Sequence, residues 1–392
     1  MSIIRNLFRA DPKCIRAFFI NMVWKGYKAF RQFERRRKGG SAFPAFQFIS
    51  VTNQCNLHCQ GCWVSQHNGI RHMELQTINK IIGDSNENGS WFFGILGGEP
   101  LLYPGLATLF ENHPRSYFQL FTNGLLLNDS MAENLRKCAN VTPLISFEGD
   151  EPAADIRRGG SGVYRKTIHA IETSVAHGLI TGVAISVCKS NIEMALSASF
   201  VEMLHGMGVV YLWYYIYRPV GAEPCYELAL SPEEIGRLRK FLVEGRKRFP
   251  MVIIDSYWDA EGNPFCPAAE GLSHHINPAG HIEPCPVIQY SCGTVGDENL
   301  KLTYENSRFL RNLKKGIHAQ TRGCILMENP VWLAELAAGH KAPDTSGRSG
   351  MDQQLLRGCV VCSHGTCPVI PETNLFYRIA KRKAFFGLGA YG

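Results

Sequence analysis

Short apolar runs alternate along the chain with longer stretches whose apolar residues recur every three or four positions. A short apolar run predicts a buried strand, and a longer periodic stretch predicts a helix. Strands are predicted at 46–51, 91–96, 117–121, 141–147, 182–187 and 210–217, with helices near 74–87, 129–138, 163–177, 191–206 and 231–247. Strands joined by crossover helices in this way imply parallel strand–helix–strand units, arranged as an open sheet or as a curved, incomplete barrel.

A single amphipathic helix is predicted at 12–38, where Asp11 can cap the start and Pro12 suits the first helical position. Its apolar side is rich in aromatic residues, and its polar side is rich in Lys and Arg. Residues 1–40 contain eleven Lys or Arg and two acidic residues, a charge of +9, although the whole chain carries only +7. The rest of the chain is therefore close to neutral, and we expect no nucleic-acid partner.

Composition and cysteine content narrow the class of protein. The 392 residues are 45% hydrophobic and 19% charged, which suits one large catalytic domain and a smaller appendage. The sequence shows no convincing signal peptide and no apolar run long enough to cross a membrane. We therefore expect a cytoplasmic protein, in which thiols stay reduced and the 14 cysteines indicate metal binding or catalysis.

The composition and periodicity of the sequence change after about residue 250. Gly, Pro, His and Cys become more frequent, and long helical periodicity is lost. Such a segment fills a core poorly, and metal cross-links would compensate. We therefore expect the basic N-terminal helix at 1–40, a catalytic domain at 41–250, a cysteine-rich domain at 251–370 and a basic, aromatic tail at 371–392.

Three cysteines follow the first predicted strand in C-x3-C-x2-C spacing: Cys55, Cys59 and Cys62. Thiolates are the usual ligands of iron–sulfur clusters, and a [4Fe–4S] cluster normally takes four of them. Three cysteines would leave one iron open, and an open coordination position is what a catalytic metal needs. The alternative is a structural zinc site with His58 or His67 as the fourth ligand.

Further candidate residues lie where later strands end, which is the edge that carries the sites of parallel α/β folds. They are Gly97, Gly98, Glu99 and Pro100 after the second strand, Thr122, Asn123 and Gly124 after the third, Ser146 and Glu148 at the fourth, and Ser186 at the fifth. The glycines let a backbone approach a ligand closely, and Glu99 supplies an acceptor for a cation. Ordinary turns and strand packing are the alternatives for these residues. Arg157 is a further candidate for the same site, and a solvated surface position suits it equally well.

A second group of cysteines lies beyond residue 250. Cys266 and Cys285 are spaced C-x13-G-x4-C and frame a hairpin predicted at 273–277 and 281–283, which would return Cys285 beside Cys266. The later members are Cys324 and a tail set spaced C-x2-C-x4-C, namely Cys359, Cys362 and Cys367. A zinc knuckle or free thiols are the alternatives for the tail set.

The run from Cys55 to Trp63, CNLHCQGCW, closely resembles the signature of the radical S-adenosylmethionine (SAM) superfamily, and GGEP at 97–100 resembles its motif for the SAM amino group. The resemblance implies that Cys55, Cys59 and Cys62 hold a [4Fe–4S] cluster whose fourth iron binds SAM. It further implies reductive cleavage of SAM to a 5′-deoxyadenosyl radical, which abstracts hydrogen from a substrate. Ser146, Glu148 and Ser186 would then contact SAM, and Gly61 replaces a residue that is often aromatic and near the adenine.

The second cysteine group resembles the SPASM or twitch extension of peptide-modifying radical SAM enzymes. This resemblance implies at least one auxiliary iron–sulfur cluster with Cys266, Cys285 and Cys324 as ligands. The tail set would supply its fourth ligand or hold a second, incompletely ligated cluster. The tail run is shorter than the usual one and lacks its last cysteine.

Together these features predict an oxidoreductase with a partial (β/α)6 TIM-like barrel and a SPASM/twitch-like domain. The resemblance favours a peptide or protein substrate that is modified or cross-linked, with a flavodoxin- or ferredoxin-like reductant. One alternative is radical modification of a lipid or isoprenoid, because the N-terminal helix suits peripheral contact with a membrane surface. That helix is equally compatible with packing across the open bottom of the barrel. The other alternative is a non-enzymatic electron-transfer or metal-stabilised binding protein.

Overall fold

The computed structural model describes residues 3–40, 43–64, 69–296, 298–348 and 361–383. His67, Cys359 and residues 384–392 of the predicted tail lie outside these described residues. Strands in the described part of the chain form one sheet: β1 (Phe46–Thr52), β2 (Phe92–Gly97), β3 (Tyr117–Thr122), β4 (Val141–Ser146), β5 (Gly182–Val187), β6 (Tyr211–Ile216), β7 (Val252–Ile254), β8 (Ser273–Ile276), β9 (His281–Glu283) and β10 (Gly293–Thr294). Their order across the sheet is β10, β9, β8, β1, β2, β3, β4, β5, β6, β7.

The strands from β1 to β7 are parallel and lie side by side in chain order. The predicted series of parallel strand–helix–strand units is therefore confirmed. Among the described strands no pairing joins β7 to the opposite edge, so the sheet has the incomplete closure that was expected. The sequence pattern missed β7, because three residues are too few to show a strand period.

Helices cover the sheet and connect its strands. They are α1 (Ile3–Leu7), α2 (Pro12–Ala17), α3 (Lys25–Lys38), α4 (Leu75–Glu87), α5 (Leu106–Asn112), α6 (Asp129–Cys138), α7 (Glu151–Arg158), α8 (Val163–Ala176), α9 (Ile192–Ala195), α10 (Ala198–Gly206), α11 (Pro232–Arg248), α12 (Pro267–Glu270), α13 (Leu300–Asn306), α14 (Arg308–Gln320), α15 (Ile325–Glu328), α16 (Pro330–Gly339) and α17 (Leu375–Lys383). The stretch predicted to be helical at 191–206 is helical but divided, since the chain there forms α9 and α10. Ser197 begins α10 by accepting a hydrogen bond from the backbone of Phe200.

The hairpin predicted in the cysteine-rich segment is present as β8 and β9. Strand β9 pairs antiparallel with β8, and β8 pairs in parallel with β1. Phe48 of β1 lies opposite His275 of β8, and His275 lies opposite Glu283 of β9. The cysteine-rich segment therefore extends the same sheet that carries the first cysteine loop, and the domain boundary near residue 250 stays a prediction.

The N-terminal segment 12–38 is helical throughout, with a π-helical turn at Phe18–Trp24 between α2 and α3. Cys14 and Phe33 are buried in the main hydrophobic core. Asn21 donates a hydrogen bond from Nδ2 to the carbonyl of Pro114 at 3.1 Å. The helix therefore packs against the body of the fold along one side. Within the described ranges, no helix is both long enough and apolar enough to cross a bilayer.

A buried ionic network fixes the C-terminal helix to the sheet. Asp255, which follows β7, lies 3.2 Å from Lys381 of α17 and 3.7 Å from Arg239 of α11, and it also pairs with Arg246. Burial alone would raise the pKa of Asp255, but the three cations outweigh it and hold that pKa well below its usual value. Arg246 also pairs with Glu372 at 2.5 Å, so the segment before α17 is held as well.

Candidate functional site

The loop after β1 brings its three cysteines to one cavity. Cys55, Cys59 and Cys62 all line a cavity of about 260 Å³. Burial, with a smaller contribution from neighbouring thiols, raises the pKa of Cys55 to about 11 and that of Cys62 to about 12. Buried thiols that lie this close together become thiolates only against a strong positive charge. This donor set therefore fits an iron–sulfur cluster.

Two glycines at the end of β2 support the start of this loop. The backbone N–H of Gly98 donates to the carbonyl of Thr52 at 2.9 Å, and that of Glu99 donates to the carbonyl of Gln54 at 2.8 Å. A Cβ on Gly97 would lie 2.4 Å from the Thr52 oxygen, and one on Gly98 would lie 2.4 Å from the Gln54 oxygen. Only glycine permits this approach, and both glycines also line the cavity.

Glu99 is enclosed by the protein and does not line the cavity. It is fully buried, and its carboxylate accepts hydrogen bonds from the Thr122 hydroxyl at 2.7 Å, the Asn123 backbone at 2.7 Å and the Leu101 backbone at 3.0 Å. Burial raises the pKa of Glu99, and the three donors partly offset that rise. In this structure the glycine backbone faces the cavity, while Glu99 joins the ends of β2 and β3. Pro100 begins a short 3₁₀ turn, Pro100–Leu102, behind them.

The end of α7 covers the cysteine loop with two arginines. Arg158 donates from Nη1 towards the Cys59 sulfur at 3.6 Å and from Nη2 to Glu148 Oε1 at 2.7 Å. Arg157 lies 3.6 Å from the other Glu148 oxygen and is only 5% exposed, so the surface interpretation of this arginine is wrong. Glu148 thus stands at the cavity wall as the shared partner of two cations.

Backbone contacts with α7 fix the middle of the loop. The N–H of His58 donates to the Arg158 carbonyl at 3.3 Å, and that of Gln60 donates to the Arg157 carbonyl at 2.9 Å. The Arg157 side chain returns a hydrogen bond to the carbonyl of Gln60 at 3.0 Å. The loop is therefore held from two sides, by β2 and by α7. Arg158 was missed by sequence reasoning, although it stands next to Arg157.

Tyr217 lies where a side chain at position 61 would lie. Gly61 has a φ of +67°, and a Cβ there would lie 2.0 Å from the Tyr217 hydroxyl. The Tyr217 ring lines the cavity, and the Arg157 guanidinium lies 4.6 Å from its centroid. Ser146 and Ser186 line the same cavity from the ends of β4 and β5. The aromatic group near Gly61 therefore comes from the end of β6, which the strand-end rule could have indicated.

Cysteines of the second group meet in a small hydrophobic cluster. Cys285 and Cys324 are buried in it, and Cys266 packs against it. Burial raises the pKa of Cys266 to about 11 and that of Cys285 to about 12, with Cys324 adding to both. The Ser363 hydroxyl accepts a hydrogen bond from the Cys324 backbone at 3.0 Å, which brings the tail segment beside this cluster.

The described tail cysteines both pack with the main core. Cys362 directly precedes Ser363 and packs against the edge of that core. Cys367 packs in the main core, where Arg239 lowers and burial raises the pKa of its thiol, with burial the larger effect. The structure thus groups Cys266, Cys285 and Cys324, and it places Cys367 apart from them.

Arg218 stands between the two cysteine groups. Its side chain lines the cavity that holds the first group. Burial alone would lower its pKa, but Cys324, Tyr257, Cys285 and Cys266 together raise it above its usual value. Its guanidinium lies 5.5 Å from the centroid of the Tyr257 ring. Sequence reasoning missed Arg218, although it follows the end of β6.

A second cavity of about 400 Å³ adjoins the first and shares Trp63, Val64 and Gly97 with it. Ser50 lines it, and the His275 ring behind it has Nε2 2.8 Å from Ser50 Oγ and Nδ1 2.6 Å from Glu283 Oε2. Its other walls come largely from the turn between β8 and β9 and from residues 343–348. The site therefore combines a cysteine-lined cavity with a polar neighbouring chamber.

Within the described ranges, no three His, Cys, Asp or Glu side chains group as ligands of one metal ion. Cysteines that hold an iron–sulfur cluster bind separate irons, so the two cysteine groups are considered as cluster ligands.

Comparison with known proteins gives a family match for part of the chain. Residues 49–194 match the model described as the Radical SAM superfamily. An uncharacterized protein of Methanocaldococcus jannaschii is 25% identical over 265 residues, covering 64% of this chain and 88% of that protein. The sporulation killing factor maturation protein SkfB of Bacillus subtilis is 23% identical over 311 residues, covering 74% of this chain and 72% of SkfB.

Other matches are partial or structural. GTP 3′,8-cyclase of Clostridium perfringens is 32% identical over 105 residues, which are 24% of this chain and 32% of the cyclase. The fold resembles Streptococcus suis SuiB bound to precursor peptide SuiA, with a TM-score of 0.61, 16% identity and coverage of 77% of this chain and 72% of SuiB. It also resembles native anSMEcpe with bound AdoMet, with a TM-score of 0.55, 17% identity and coverage of 69% and 83%. These two likenesses show a shared fold.

Proposed function

The chain belongs to the radical SAM superfamily, and from that premise we propose that Cys55, Cys59 and Cys62 hold its [4Fe–4S] cluster and that SAM binds beside them. The observation that carries this proposal is the convergence of three thiols and the Gly97-Gly98 backbone on one cavity. The bound cluster and SAM supply, on reduction, the 5′-deoxyadenosyl radical that abstracts hydrogen from the substrate.

The residues around the cavity have distinct roles in this proposal. Arg158 donates to Cys59 and so stabilises negative charge on its sulfur. Gly98 keeps the loop against β2, because its N–H and its lack of a Cβ both serve that contact. Tyr217, Ser146 and Ser186 form walls that contact SAM and exclude water. Glu148 pairs with both arginines and orients them, so it would not contact SAM independently of them.

We infer that the substrate is a peptide or protein. SkfB is a maturation protein for a killing factor, and SuiB is seen with a precursor peptide. The polar chamber next to the cavity has room for a polar segment and touches Gly97 and Trp63 of the first cavity. A substrate lying there would present its reacting carbon to the SAM side. A lipid or isoprenoid substrate is the competing proposal.

Cys266, Cys285 and Cys324 are proposed to hold an auxiliary iron–sulfur cluster. Their thiols are buried together, and Arg218 supplies a cation between them and the first cavity. Of the described tail cysteines, Cys362 is the nearer in sequence to Ser363, whose hydroxyl contacts the backbone of Cys324. The chain is an enzyme of this superfamily, so the non-enzymatic alternative is set aside.

The test is anaerobic reconstitution with iron and sulfide, followed by dithionite and SAM. The proposal expects 5′-deoxyadenosine, and it expects deuterium in that product when deuterated candidate peptides are added. A matched set of deuterated isoprenoid lipids serves as the competing substrate. Transfer of deuterium from the lipids but not the peptides would overturn the peptide assignment and leave the SAM site intact.

A further inference from the structure

The N-terminal helix has two apolar sides, and only one of them packs against the protein. Cys14, Asn21, Ala29 and Phe33 are buried on the packed side. The opposite side shows Phe19, Ile20, Trp24 and Tyr27, which we call the apolar strip. Trp24 is 56% exposed, Phe19 48% and Ile20 44%, although each would be stabilised by leaving water. The fold therefore leaves this strip for a partner outside the described chain.

Basic residues flank the apolar strip at both ends. Lys13 and Arg16 precede it and are largely exposed, while the exposed Lys28, Arg31, Arg35 and Lys38 follow it. The Lys28 ammonium lies 4.8 Å from the Trp24 ring centroid, so cation and aromatic group share one surface. Glu34 is the single acidic residue within 12–38, and it pairs with Arg37 at 3.3 Å. The partner of this face must therefore be apolar at its centre and anionic around it.

A basic cavity lies beside the strip, where α3 meets α17. It has a volume of about 240 Å³ and is lined by Phe30, Arg31, Glu34, Arg35, Lys38 and Arg382. Four of its six lining side chains are cations, of which Arg382 also pairs with Glu261, and guanidinium groups match phosphate oxygens well. Helix α17 adds its own exposed apolar residues, Leu375 at 69% and Phe376 at 64%. Two separate helices thus present the same combination of apolar and basic groups.

We propose that this face docks the enzyme on an anionic membrane surface. The apolar strip enters the boundary between headgroups and acyl chains, and the basic cavity binds the phosphate of an anionic lipid. An amphipathic helix that lies in the interface plane carries aromatic groups on one face and Lys and Arg beside them, as this helix does. The proposal concerns location, so it holds or fails independently of the substrate.

The test is sedimentation of the full-length, reconstituted enzyme with phosphatidylglycerol/phosphatidylcholine vesicles and with phosphatidylcholine vesicles. Binding to the anionic vesicles is expected to exceed binding to the neutral ones and to fall with added salt. Phe19→Ser with Trp24→Ser should weaken binding by about tenfold or more. Arg31→Gln and Arg35→Gln should each weaken it by about fivefold.

The control is Leu302→Ser with Lys240→Gln, which removes a similarly exposed apolar residue and an exposed cation from other helices. Its binding should equal that of the unaltered enzyme. Equal sedimentation of all variants would overturn the proposal. Loss of vesicle binding when inorganic phosphate is added at constant ionic strength would also overturn the proposal. That result would assign the basic cavity to a free phosphate compound. Formation of 5′-deoxyadenosine without vesicles is measured in parallel, and it should be the same for every variant.

Discussion

The two cysteine groups are built in opposite ways. The first group lies on one loop, and backbone hydrogen bonds from β2 and α7 hold that loop. The second group is collected from residues as far apart as Cys266 and Cys324, and a small hydrophobic cluster holds it. The first can be recognised from spacing alone, because its ligands are neighbours in the chain. The second exists only once the hairpin and the later helices have folded.

The charges beside the two groups differ as well. Arg158 contacts Cys59 directly, and it shares the single carboxylate of Glu148 with Arg157. Arg218 faces Cys324, Cys285 and Cys266 together and lies over the Tyr257 ring. The first group is thus the more rigidly placed, and the second depends more on the packing around it. Four predictions test this contrast.

The largest effect is expected for Cys59→Ala. Removing one of three thiols leaves two ligands, which cannot hold a cluster with an open iron, so formation of 5′-deoxyadenosine should be abolished. Cys138→Ala, at the end of α6, is the control and should retain activity. Product formation by Cys59→Ala at the level of the control would overturn the assignment of the first group.

Gly98→Ala should impair the loop without removing a ligand. The added Cβ would lie 2.4 Å from the Gln54 carbonyl, so the loop must shift away from β2. A shift of this kind is expected to reduce SAM cleavage by about 100-fold. Gly83→Ala in α4 meets no atom within 4 Å and should leave cleavage unchanged. Equal rates for the two variants would show that the loop does not depend on its contact with β2.

The Cys285→Ala variant should affect the second cysteine group and leave the first one working. It removes a ligand of the proposed auxiliary cluster, so iron and sulfide content should fall by about one cluster per chain. SAM cleavage should stay within about tenfold of the unaltered enzyme, because the first cavity keeps its thiols. Iron and sulfide analysis with electron paramagnetic resonance measures the first effect. Loss of both clusters would mean that the groups fold as one unit.

The smallest expected effect is a pH dependence of protein stability that arises in the cysteine-rich segment. Burial lowers the pKa of His274, on β8, to about 4 in the folded protein, against about 6.5 when unfolded. The unfolded chain therefore binds more protons between these values, and the free energy of unfolding should fall by up to about 3 kcal/mol as pH drops from 6.5 to 4.

His274→Gln removes that titration, and denaturant unfolding at several pH values measures it. The variant should lose this part of the pH dependence, while His318→Gln, which alters a histidine with a 57% exposed side chain, should keep it. Identical pH profiles for all three proteins would contradict the assignment to His274.

Sequence reasoning found the parallel strands and the first cysteine loop because both are encoded locally. Strand periodicity and C-x3-C-x2-C spacing need only neighbouring residues. It missed Arg218 and Tyr217, since their approach to the two cysteine groups depends on where β6 ends in three dimensions. It also predicted that the Glu99 carboxylate accepts a cation, whereas Thr122 and two backbone N–H groups enclose that carboxylate. Such partners come from another strand, and no local pattern reports them.

The pairing of β8 with β1 has a consequence for dissecting this protein. Strand β1 leads directly into the first cysteine loop, and β8 covers the edge of β1 that β2 does not. A fragment ending at residue 250 would expose that edge to other chains and invite intermolecular strand addition. The segment after residue 250 therefore acts as a shield for the strand that leads to the radical chemistry, and proteolysis there should cause aggregation before it frees a working core.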